Sequence, residues 1–365
     1  MRIGIDAKWF YEGPISNRIV VTNLVESLVR NNDCHDLVFF LNRKHKNREF
    51  PFLQDNVRIL YVWAGNNMIS NLFLLPFYGL RLRLDGILYQ NFASFWGPSV
   101  WVYIHDVIFM SHPQFFSRFE KLYFLFIPFF ARFAKKIITI SEAEKSRMLL
   151  YGVGSKESIS VVYHGRNLSF KPKENFRMED LLAVKKKYDL PGRYILYVGR
   201  LNVRKNIDNL LKAVQNLKES IPLIIIGKED WKTDSEVNKL LSILSKSGQA
   251  KQLGHVPFED LPQIYALAEV FCFPSFAEGF GLPVLEAMAS GLSVVTSKNS
   301  AMEEICGPAG LFVDTTKAEE IRDGLQLLIN NDELKAQFRS TGLDRSRLFD
   351  WNNSAQQIFK IITED

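Results

Sequence analysis

The sequence is poor in cysteine and has no long apolar run. Its 365 residues include three cysteines, Cys34, Cys272 and Cys306, an odd number without the paired spacing of a metal site. We therefore expect a reducing compartment and no disulfide scaffold. No stretch has the roughly 18–20 consecutive apolar residues of a membrane-spanning helix. The longest candidate, residues 122–131, is too short and contains Pro128.

Signals for export, metals and nucleic acids are also lacking. Asp6 and Lys8 interrupt the first apolar run, so no secretory signal is expected and a cytoplasmic location is favoured. The acidic residues and histidines show no metal-ligand spacing, so we expect no metal and no other cofactor. Basic residues do not form long blocks and no nucleic-acid-binding motif is recognisable, which argues against a nucleic-acid partner.

Charge is distributed unevenly along the chain. Residues 1–167 contain 20 Lys and Arg against 13 Asp and Glu, a net charge of +7, whereas the remainder has 25 against 27. The first part also holds 18 of the 29 phenylalanines, a basic cluster at 43–48, and a mixed apolar and basic segment at 71–83. Such a composition favours peripheral binding to an anionic membrane surface, at the inner face of the cell membrane. The alternative is that Phe fills the core while Lys and Arg solvate the surface.

Short apolar runs alternate with helical patterns, which is typical of parallel sheets with helices on both faces. Strands are predicted at residues 2–6, 36–40, 57–61, 100–104 and 136–140, and again at 194–198, 222–226, 270–273, 293–296 and 311–313. A polar segment broken by Pro172 separates the two series. We therefore predict an α/β fold with two doubly wound domains, residues 1–167 and 168–347, and a terminal helix within 348–365.

The most specific segment is the loop and helix after the predicted strand 270–273. Glu278 and Glu286 lie eight residues apart, with Gly279 and Gly281 in the loop between them. A glycine loop before a helix offers backbone N–H groups and the positive end of a helix dipole, which suit a phosphate. One anion site between two acids fits a ligand with a central phosphate and hydroxyls at both ends, which is the shape of a nucleotide sugar.

A dinucleotide-binding site is the nearest alternative for this segment. Its fingerprint needs a third small residue after Gly279 and Gly281, where this chain has Val284. Glu303 and Glu304 lie about twenty residues downstream, where such sites carry an acid for the ribose. The dinucleotide alternative is therefore weakened but stays open.

Other polar side chains follow the predicted strands at the edge where α/β folds bind ligands. Arg200 and Lys205 come after the strand 194–198, and two cations near a helix start suit a diphosphate. His105 directly follows the strand 100–104. A histidine there can orient a hydroxyl, carry a proton or steady a sugar. Surface charge and a structural histidine are the simpler alternatives.

Residues 274–292 resemble the Glu-x7-Glu signature of the retaining glycosyltransferases of family 4. Further segments are similar to the second domain of these enzymes, in the same order: Gly199-Arg200, Lys205-Asn206, residues 253–257, residues 302–307 and residues 349–351. The pair His105-Asp106 and Ile140-Ser-Glu142 resemble their first domain. The resemblance runs from residue 1 to about residue 360 and is more specific in the second half.

This resemblance implies a GT-B fold, with two Rossmann-like domains facing a central cleft and a terminal helix that crosses back to the first domain. It also implies a metal-independent reaction. Glu278 would hold sugar hydroxyls and act in catalysis, and His105 would lie beside the transferred sugar. Donor binding is implied for Arg200 and Lys205 on the diphosphate, Glu286 on the ribose, the backbone of Gly279, Phe280, Gly281 and Leu282 on phosphate or sugar, and Val256.

The chain departs from the family in the loop after its first strand. Family members often have a Gly-Gly-x-Gly loop there, whereas this chain has Glu12-Gly-Pro-Ile-Ser-Asn-Arg18, with a single glycine. Gly13, Pro14 and Ile15 are the expected contacts of this loop with donor phosphate and acceptor. The change leaves the first-domain contacts, and with them the acceptor, open.

We therefore predict a hexosyltransferase that moves a sugar from a nucleotide-activated donor to a glycan or lipid-linked acceptor, retaining the anomeric configuration, in bacterial surface polysaccharide synthesis. His105-Asp106 followed by Pro113-Gln-Phe-Phe resembles mannosyltransferase-like members and favours GDP-mannose over UDP-sugars. A sugar-nucleotide epimerase of the same fold and a non-catalytic sugar-nucleotide-binding subunit are the alternatives. The sequence does not distinguish a covalent intermediate on Glu278 from same-face attack.

Overall fold

The structure, a computed structural model, describes residues 1–228 and 235–364 of the chain. Its backbone divides into two units: Met1–Gly165 with the segment that begins at Asp350, and Arg166–Phe349. Each unit has its own parallel sheet. Within the described residues, no helix is long and apolar enough to cross a bilayer.

The first unit is built on a parallel sheet of seven strands within residues 1–165. In chain order they are β1 (Arg2–Asp6), β2 (Asp36–Asn42), β3 (Val57–Val62), β4 (Gly86–Gln90), β5 (Ser99–Tyr103), β6 (Lys136–Thr139) and β7 (Ile159–Val161). Their order in the sheet is β3-β2-β1-β4-β5-β6-β7, so the direction of winding reverses between β1 and β4. Such a switch point is where doubly wound sheets bind ligands.

Helices of the first unit connect these strands. They are α1 (Ile15–Arg30), α2 (Asn67–Ile69), α3 (Leu75–Arg81), α4 (Ile108–Ser111), α5 (Arg118–Phe124), α6 (Phe126–Ala131) and α7 (Glu142–Leu150), and a π-helical segment, Ser70–Leu74, joins α2 to α3. Ser117 and Glu120 form a capping box at the start of α5, because each side chain accepts from the other's backbone N–H. The core around the sheet contains large aromatics, with Trp101, Tyr89 and Phe40 fully buried.

The second unit repeats the plan. Its described residues form β8 (Ile195–Val198), β9 (Leu223–Ile226), β10 (Ala250–Gly254), β11 (Val270–Phe273), β12 (Ser293–Ser297) and β13 (Gly310–Val313). The order in the sheet is β10-β9-β8-β11-β12-β13, and every pairing is parallel. The winding therefore reverses between β8 and β11, which makes the carboxyl ends of these two strands the switch point.

The helices of the second unit follow its strands in turn. They are α8 (Met178–Lys187), α9 (Ile207–Gln215), α10 (Ser235–Lys246), α11 (Leu261–Leu267), α12 (Leu282–Ala289), α13 (Ala301–Cys306), α14 (Ala318–Ile329) and α15 (Asp332–Arg347). In α9, Ile207, Leu210, Leu211 and Val214 are buried and recur at helical spacing, so this helix packs by one apolar stripe.

The last helix, α16 (Trp351–Thr363), belongs to the first unit and packs on α1. Its first residue lies against Gly165, where an added Cβ would come within 2.2 Å of the Trp351 backbone nitrogen. The Trp351 ring also contacts His164, with ring centroids 5.3 Å apart. Glycine at position 165 therefore allows the chain to approach the start of α16 closely.

Both sheets confirm the predicted fold of two doubly wound α/β domains. Three strands, β4, β7 and β10, escape the sequence analysis. Neither β7 nor β10 contains three consecutive apolar residues, whereas β4 has the run 87–89 and could have been predicted. Strands β7 and β10 are sheet edges, where half-buried positions accept polar residues such as Lys251 and Gln252.

Gly165→Ala is predicted to destabilise the first unit. The new methyl group would collide with backbone atoms, which cannot rotate away as a side chain can, so we expect a loss of about 3 kcal/mol in the free energy of unfolding. Urea unfolding followed by circular dichroism measures it. Gly192→Ala is the matched control, since nothing lies within 4 Å of a Cβ at Gly192. Equal stability of the two variants would contradict the prediction.

Candidate active site

Two loops meet at the switch point of the second unit. One follows β8 and contains residues 199–206; the other follows β11 and contains residues 274–281. Because β8 and β11 are neighbouring parallel strands, both loops leave the same edge of the sheet. This edge is where we find the charged residues that the sequence motifs singled out.

Glu278 is the centre of a charged cluster at this edge. Its Oε1 lies 2.5 Å from Lys205 Nζ and 3.1 Å from Arg204 Nη1, and it accepts a hydrogen bond of 2.6 Å from Ser275 Oγ. Burial by itself raises the pKa of this carboxyl, but the charges of Arg204 and Lys205 outweigh it and lower the pKa to about 2. Glu278 is therefore ionised at neutral pH.

Lys205 is held by both charge and packing. Its side chain is 12% exposed, and its ammonium lies 4.8 Å from the centre of the Phe273 ring. Burial lowers the pKa of Lys205 to about 8; Glu278 opposes the shift, while the charges of Arg204 and Arg200 add to it. Lys205 therefore stays mostly protonated at neutral pH and presents a partly compensated cation.

Asparagine side chains set the shape of the loop after β8. The Asn202 carboxamide accepts a 3.1 Å hydrogen bond from the Lys205 amide. Asn206 adopts a left-handed conformation with φ of 57° and donates to the carbonyls of Pro274, at 3.0 Å, and Thr315, at 2.6 Å. Asparagine tolerates this conformation better than most residues. The two loops are thus tied together by backbone and side-chain contacts as well as by charge.

Helix α12 begins at the end of the second loop. Gly281 is its N-cap, with φ of 105°, and Leu282 is its first residue. The Phe280 ring packs edge-on against Phe349, with ring centroids 5.9 Å apart, and is buried. Gly279 is buried beside it. Residues 279–282 therefore carry no polar side chain at the helix start, and backbone contacts of this loop with a donor stay a prediction.

Glu286 lies one turn into α12 rather than in its first turn, because the helix starts at Leu282. Its Oε2 accepts a 3.0 Å hydrogen bond from the Tyr265 hydroxyl. Burial raises the pKa of Glu286 to about 8, and the Tyr265 hydrogen bond only partly opposes this. Glu286 is therefore mostly protonated at neutral pH, in contrast to Glu278.

The predicted cations occupy different positions. Lys205 lies within the Glu278 cluster, whereas Arg200 is exposed and acts on it through its charge, which lowers the pKa of Lys205. The backbone carbonyl of Arg200 accepts from the Tyr197 hydroxyl at 3.0 Å. Arg204, which the sequence analysis passed over, makes the second ion pair with Glu278. Its position next to Lys205 in the chain was the available signal.

Val256 and Tyr265 complete the described surroundings in the second unit. Val256 is buried and lies two residues after β10. In the sheet, β10 is an edge strand that β9 and β8 separate from β11. Tyr265 lies on α11 and its ring stacks on Phe271 with centroids 5.4 Å apart. No sequence motif pointed to Tyr265, because its partner Glu286 is twenty-one residues away in the chain.

His105 lies at the carboxyl end of β5 in the first unit. Its Nε2 is 2.9 Å from Gln90 Oε1, and because an amide oxygen only accepts, this ring nitrogen donates. Burial lowers the pKa of His105 to about 4, so the ring is neutral at neutral pH. The Trp9 ring lies 5.9 Å from it, centroid to centroid. Sequence reasoning missed Gln90 because β4 itself was not predicted.

The backbone after His105 is held by a buried acid. Glu144 of α7 accepts a 2.6 Å hydrogen bond from the Val107 amide and pairs with Arg147. Burial raises the pKa of Glu144 to about 8, although the Arg147 charge opposes this shift. Glu144 therefore fixes the chain two residues beyond His105.

The loop after β1 carries the three residues expected to contact donor or acceptor. Gly13 has a φ of 101°, and a Cβ there would lie 2.7 Å from the Trp9 ring. Pro14 is the N-cap of α1, and Ile15 is its first residue and exposed. The preceding acid, Glu12, is bound by Asn42, Lys44 and His45. These contacts give the loop a defined shape but no polar side chain from residues 13–15.

Metal binding has no visible basis in the described parts of the chain. Across residues 1–228 and 235–364, no group of three or more His, Cys, Asp or Glu is arranged to hold a metal ion. Metal independence of the reaction stays a prediction.

Comparison with known proteins gives a family match in the second unit. Residues 180–345 match the family of glycosyl transferases group 1. The chain is 34% identical over 229 residues to the O-antigen chain mannosyltransferase B of Escherichia coli, an alignment that covers 61% of this chain and 59% of that protein. The chain thus aligns with little more than half the length of this relative.

Solved structures match over the whole chain. Sucrose-phosphate synthase from Thermosynechococcus elongatus has a TM-score of 0.78 at 18% identity, covering 100% of this chain and 98% of the other. Anabaena Alr3699/HepE in complex with UDP and glucose has a TM-score of 0.75 at 18% identity, with complete coverage of both. These structures confirm the GT-B fold that the sequence motifs indicated. The match of residues 180–345 and the mannosyltransferase relative support the resemblance to glycosyltransferases.

Glu286→Gln is predicted to change how stability depends on pH. The folded protein keeps the Glu286 proton up to about pH 8, while the unfolded chain releases it near the ordinary pKa of 4.5. The unfolded state therefore binds fewer protons between these values, and the free energy of unfolding falls as pH rises. Glutamine does not titrate, so Glu286→Gln should remove this fall in the free energy of unfolding. From about pH 5 to about pH 8, about three pH units at about 1.4 kcal/mol per unit, the variant should gain about 3–4 kcal/mol relative to the unmodified protein.

Denaturant unfolding at a series of pH values checks this expectation. Glu319→Gln, an exposed glutamate on α14, is the control for the same chemical change. If Glu286→Gln and Glu319→Gln show the same pH dependence, the carboxyl of Glu286 is not held in its protonated form.

Proposed function

We propose that this chain, whose residues 180–345 belong to the glycosyl transferases group 1, transfers a hexosyl unit from a nucleotide-activated donor and retains its anomeric configuration. The main support for this proposal is the position of one cation. The cation Lys205, paired with Glu278 at 2.5 Å, lies at the switch point of the second unit, beside the loop that starts α12. A diphosphate needs such cations together with the amino end of a helix.

The donor diphosphate would be held by Lys205 and Arg200, with the backbone of residues 279–282 contributing N–H groups. In the absence of a ligand, Glu278 compensates Lys205 and Arg204. A bound diphosphate carries more negative charge than one carboxylate, so it would share these cations with Glu278. The cations would then stabilise the negative charge that develops on the leaving diphosphate during transfer. This chemistry is the same for GDP and UDP.

We favour GDP-mannose as the donor. The Escherichia coli relative is named as a mannosyltransferase, which agrees with the similarity of the segment around His105 to mannosyltransferase-like sequences. UDP-sugars are the alternative, since the structurally similar HepE was solved with UDP and glucose. The choice between GDP-mannose and UDP-sugars depends on contacts with the base and with the sugar. The diphosphate site does not determine these contacts.

Glu278 would bind hydroxyls of the transferred sugar. An ionised carboxylate accepts hydrogen bonds from hydroxyl groups, and its pKa of about 2 keeps it ionised throughout the neutral range. The same stabilisation by Arg204 and Lys205 makes it a weak nucleophile, because both cations withdraw its charge. This favours same-face attack over a covalent intermediate on Glu278.

Glu286 would bind the ribose hydroxyls of the donor. As a protonated carboxyl it can donate one hydrogen bond and accept another, which suits a vicinal pair of hydroxyls. Tyr265 orients it by donating to Oε2. Val256, which follows the edge strand β10, would contribute apolar contact to the donor.

His105 would steady the transferred sugar rather than supply a proton. With a pKa of about 4 the ring is neutral, and its Nε2 hydrogen bond to Gln90 fixes the ring orientation. The other ring nitrogen is then the acceptor for a sugar hydroxyl. Gly13, Pro14 and Ile15 would approach the donor phosphate and acceptor through backbone.

The acceptor would be a glycan, free or linked to lipid, in bacterial surface polysaccharide synthesis. The O-antigen function in the relative's name supports this class of product. We propose that the protein works in the cytoplasm at the inner face of the cell membrane, where a lipid-linked acceptor lies. The net charge of +7 in residues 1–167 supports that location.

Incubation of the purified protein with GDP-mannose and a panel of UDP-sugars tests the proposed reaction. A glycosyltransferase releases nucleoside diphosphate, slowly to water and faster with an acceptor glycan. An epimerase changes the sugar without net release of diphosphate, and a binding subunit shows thermal stabilisation alone. Either of the last two results replaces the proposal by that alternative.

Lys205→Ala and Arg200→Ala are predicted to weaken binding of GDP or UDP. Each change removes a hydrogen bond to a charged group, so we expect a loss of roughly 1.5–3 kcal/mol in binding free energy. Calorimetric titration measures it. Lys212→Ala, on α9 and paired with Asp208, is the control for loss of one positive charge. Unchanged binding in both variants would remove these cations from the donor site.

Glu286→Ala and Glu278→Ala are predicted to affect different kinetic constants. The ribose does not react, so losing Glu286 should raise the KM for the donor. The sugar changes charge in the transition state, so losing Glu278 should mainly lower kcat. Steady-state kinetics with Glu319→Ala as control separates the two. The reverse pattern would exchange the two assignments.

A further inference from the structure

Helices α5 and α6 expose a stripe of apolar side chains on one side. Phe119, Leu122, Phe126, Phe129 and Phe133 follow one another at spacings of three and four residues and are 39–78% exposed. Such spacing is typical of one face of a helix. The first two residues lie on α5, Phe126 and Phe129 lie on α6, and Phe133 lies two residues after α6. The opposite side contributes to the core, where Ile127 and Ala131 are buried.

A second exposed stripe lies on the helical segment from α2 to α3. Ile69, Phe73, Phe77 and Leu80 are spaced by three or four residues and are 43–54% exposed. The buried residues of this segment, including Leu72 and Leu75, alternate with them. Both stripes are therefore outer faces of helices whose inner faces are already packed.

Phe95 joins the two stripes into one surface. Its ring centroid lies 6.2 Å from Phe73 of the second stripe and 6.3 Å from Phe133 of the first stripe. It also lies 6.2 Å from Phe130, a half-buried ring of α6. Phe95 is itself 47% exposed. We call this continuous surface, made of the two stripes and Phe95, the aromatic face. Isolated exposed apolar residues are common, but a contiguous apolar surface marks an interaction site.

The segments that carry the aromatic face are almost entirely basic among their charged residues. Residues 66–84 contain two charged residues, Arg81 and Arg83, and residues 117–136 contain five basic residues and one acid, Glu120. The Arg132 guanidinium lies 4.5 Å from the centre of the Phe129 ring, so cation and aromatic share one location. The surface therefore combines exposed apolar rings with basic side chains.

We propose that the aromatic face binds the surface of an anionic lipid bilayer. Exposed Phe rings would enter the region between headgroups and acyl chains, and the surrounding Arg and Lys would contact lipid phosphates. This membrane contact rests on the proposed function, which places the protein at the inner face of the cell membrane, and it does not depend on which nucleotide sugar is the donor. It also identifies which surface of the first unit is used.

The charge pattern selects this partner over a second copy of the chain. In a two-fold symmetric dimer the same surface meets itself, so the basic side chains would come together and repel. An anionic bilayer instead offers negative charge around an apolar interior. The basic cluster at residues 43–48 is a weaker candidate, because Lys44 and His45 contact Glu12.

Vesicle co-sedimentation tests the proposal. The protein is mixed with phosphatidylcholine vesicles that contain or lack phosphatidylglycerol, at low and high salt. We expect binding to the anionic vesicles that weakens with salt. Phe119→Ser, Phe129→Ser and Phe133→Ser together should lower the bound fraction by about tenfold or more, as should Arg132→Glu with Lys135→Glu.

Matched variants in the second unit serve as controls. Leu168→Ser, Leu182→Ser and Leu348→Ser remove three comparably exposed apolar side chains, and Lys239→Glu with Lys246→Glu reverses two exposed charges. These variants should bind as the unmodified protein does. Absence of binding to anionic vesicles, or equal loss in face and control variants, overturns the proposal. A dimer in sedimentation analysis that the Phe variants abolish, without vesicle binding, assigns the face to a second copy.

Measurements of nucleotide binding distinguish failure of the membrane proposal from failure of the proposed reaction. Thermal stabilisation by GDP and UDP should be the same in the face variants and the unmodified protein, which also shows that the variants fold. If nucleotides stabilise the protein but vesicles do not bind it, the membrane proposal fails alone. If vesicles bind but no nucleotide sugar is turned over, the proposed reaction fails alone.

Discussion

The buried carboxylate of Glu278 is the constraint on which the switch point of the second unit depends. An ionised acid can be removed from water only if cations and hydrogen-bond donors replace the solvent. Lys205, Arg204 and Ser275 do so at distances of 2.5–3.1 Å. Because the cations come from the loop after β8 and the acid from the loop after β11, this requirement fixes the two loops to each other. It also leaves cations concentrated where a diphosphate can share them.

The two acids of the Glu-x7-Glu motif have opposite protonation states although they are close in the chain. Cations surround Glu278 and hold its pKa at about 2, whereas Glu286 has a hydroxyl partner and burial raises its pKa to about 8. Environments that separate the pKa values of nearby acids are typical of functional sites. The same residue type is therefore an anion at position 278 and mostly a neutral hydrogen-bonding group at position 286.

The first unit divides its aromatic residues between two roles. Trp101, Tyr89 and Phe40 are buried around the sheet. Phe73, Phe95, Phe129 and Phe133 are exposed, and their rings form a chain of contacts through Phe95 and Phe133. Composition alone supported both the core and the membrane interpretation of the Phe content. The helical spacing of three and four residues supports them jointly, because a helix with one buried and one exposed apolar side satisfies both.

Local patterns in the chain predict the two doubly wound domains and single out Glu278, Lys205 and Glu286, because alternating apolar runs, a glycine loop and a cation after a strand are all local features. Three contacts became visible in the fold alone: Arg204 rather than Arg200 pairs with Glu278, Tyr265 hydrogen-bonds Glu286, and Gln90 orients His105. These pairs join residues that are 15 to 74 positions apart or depend on which way a loop side chain turns. Such contacts follow from the pairing of β8 with β11 and of β4 with β5, since strand order brings distant loops to one edge and no local pattern encodes that order.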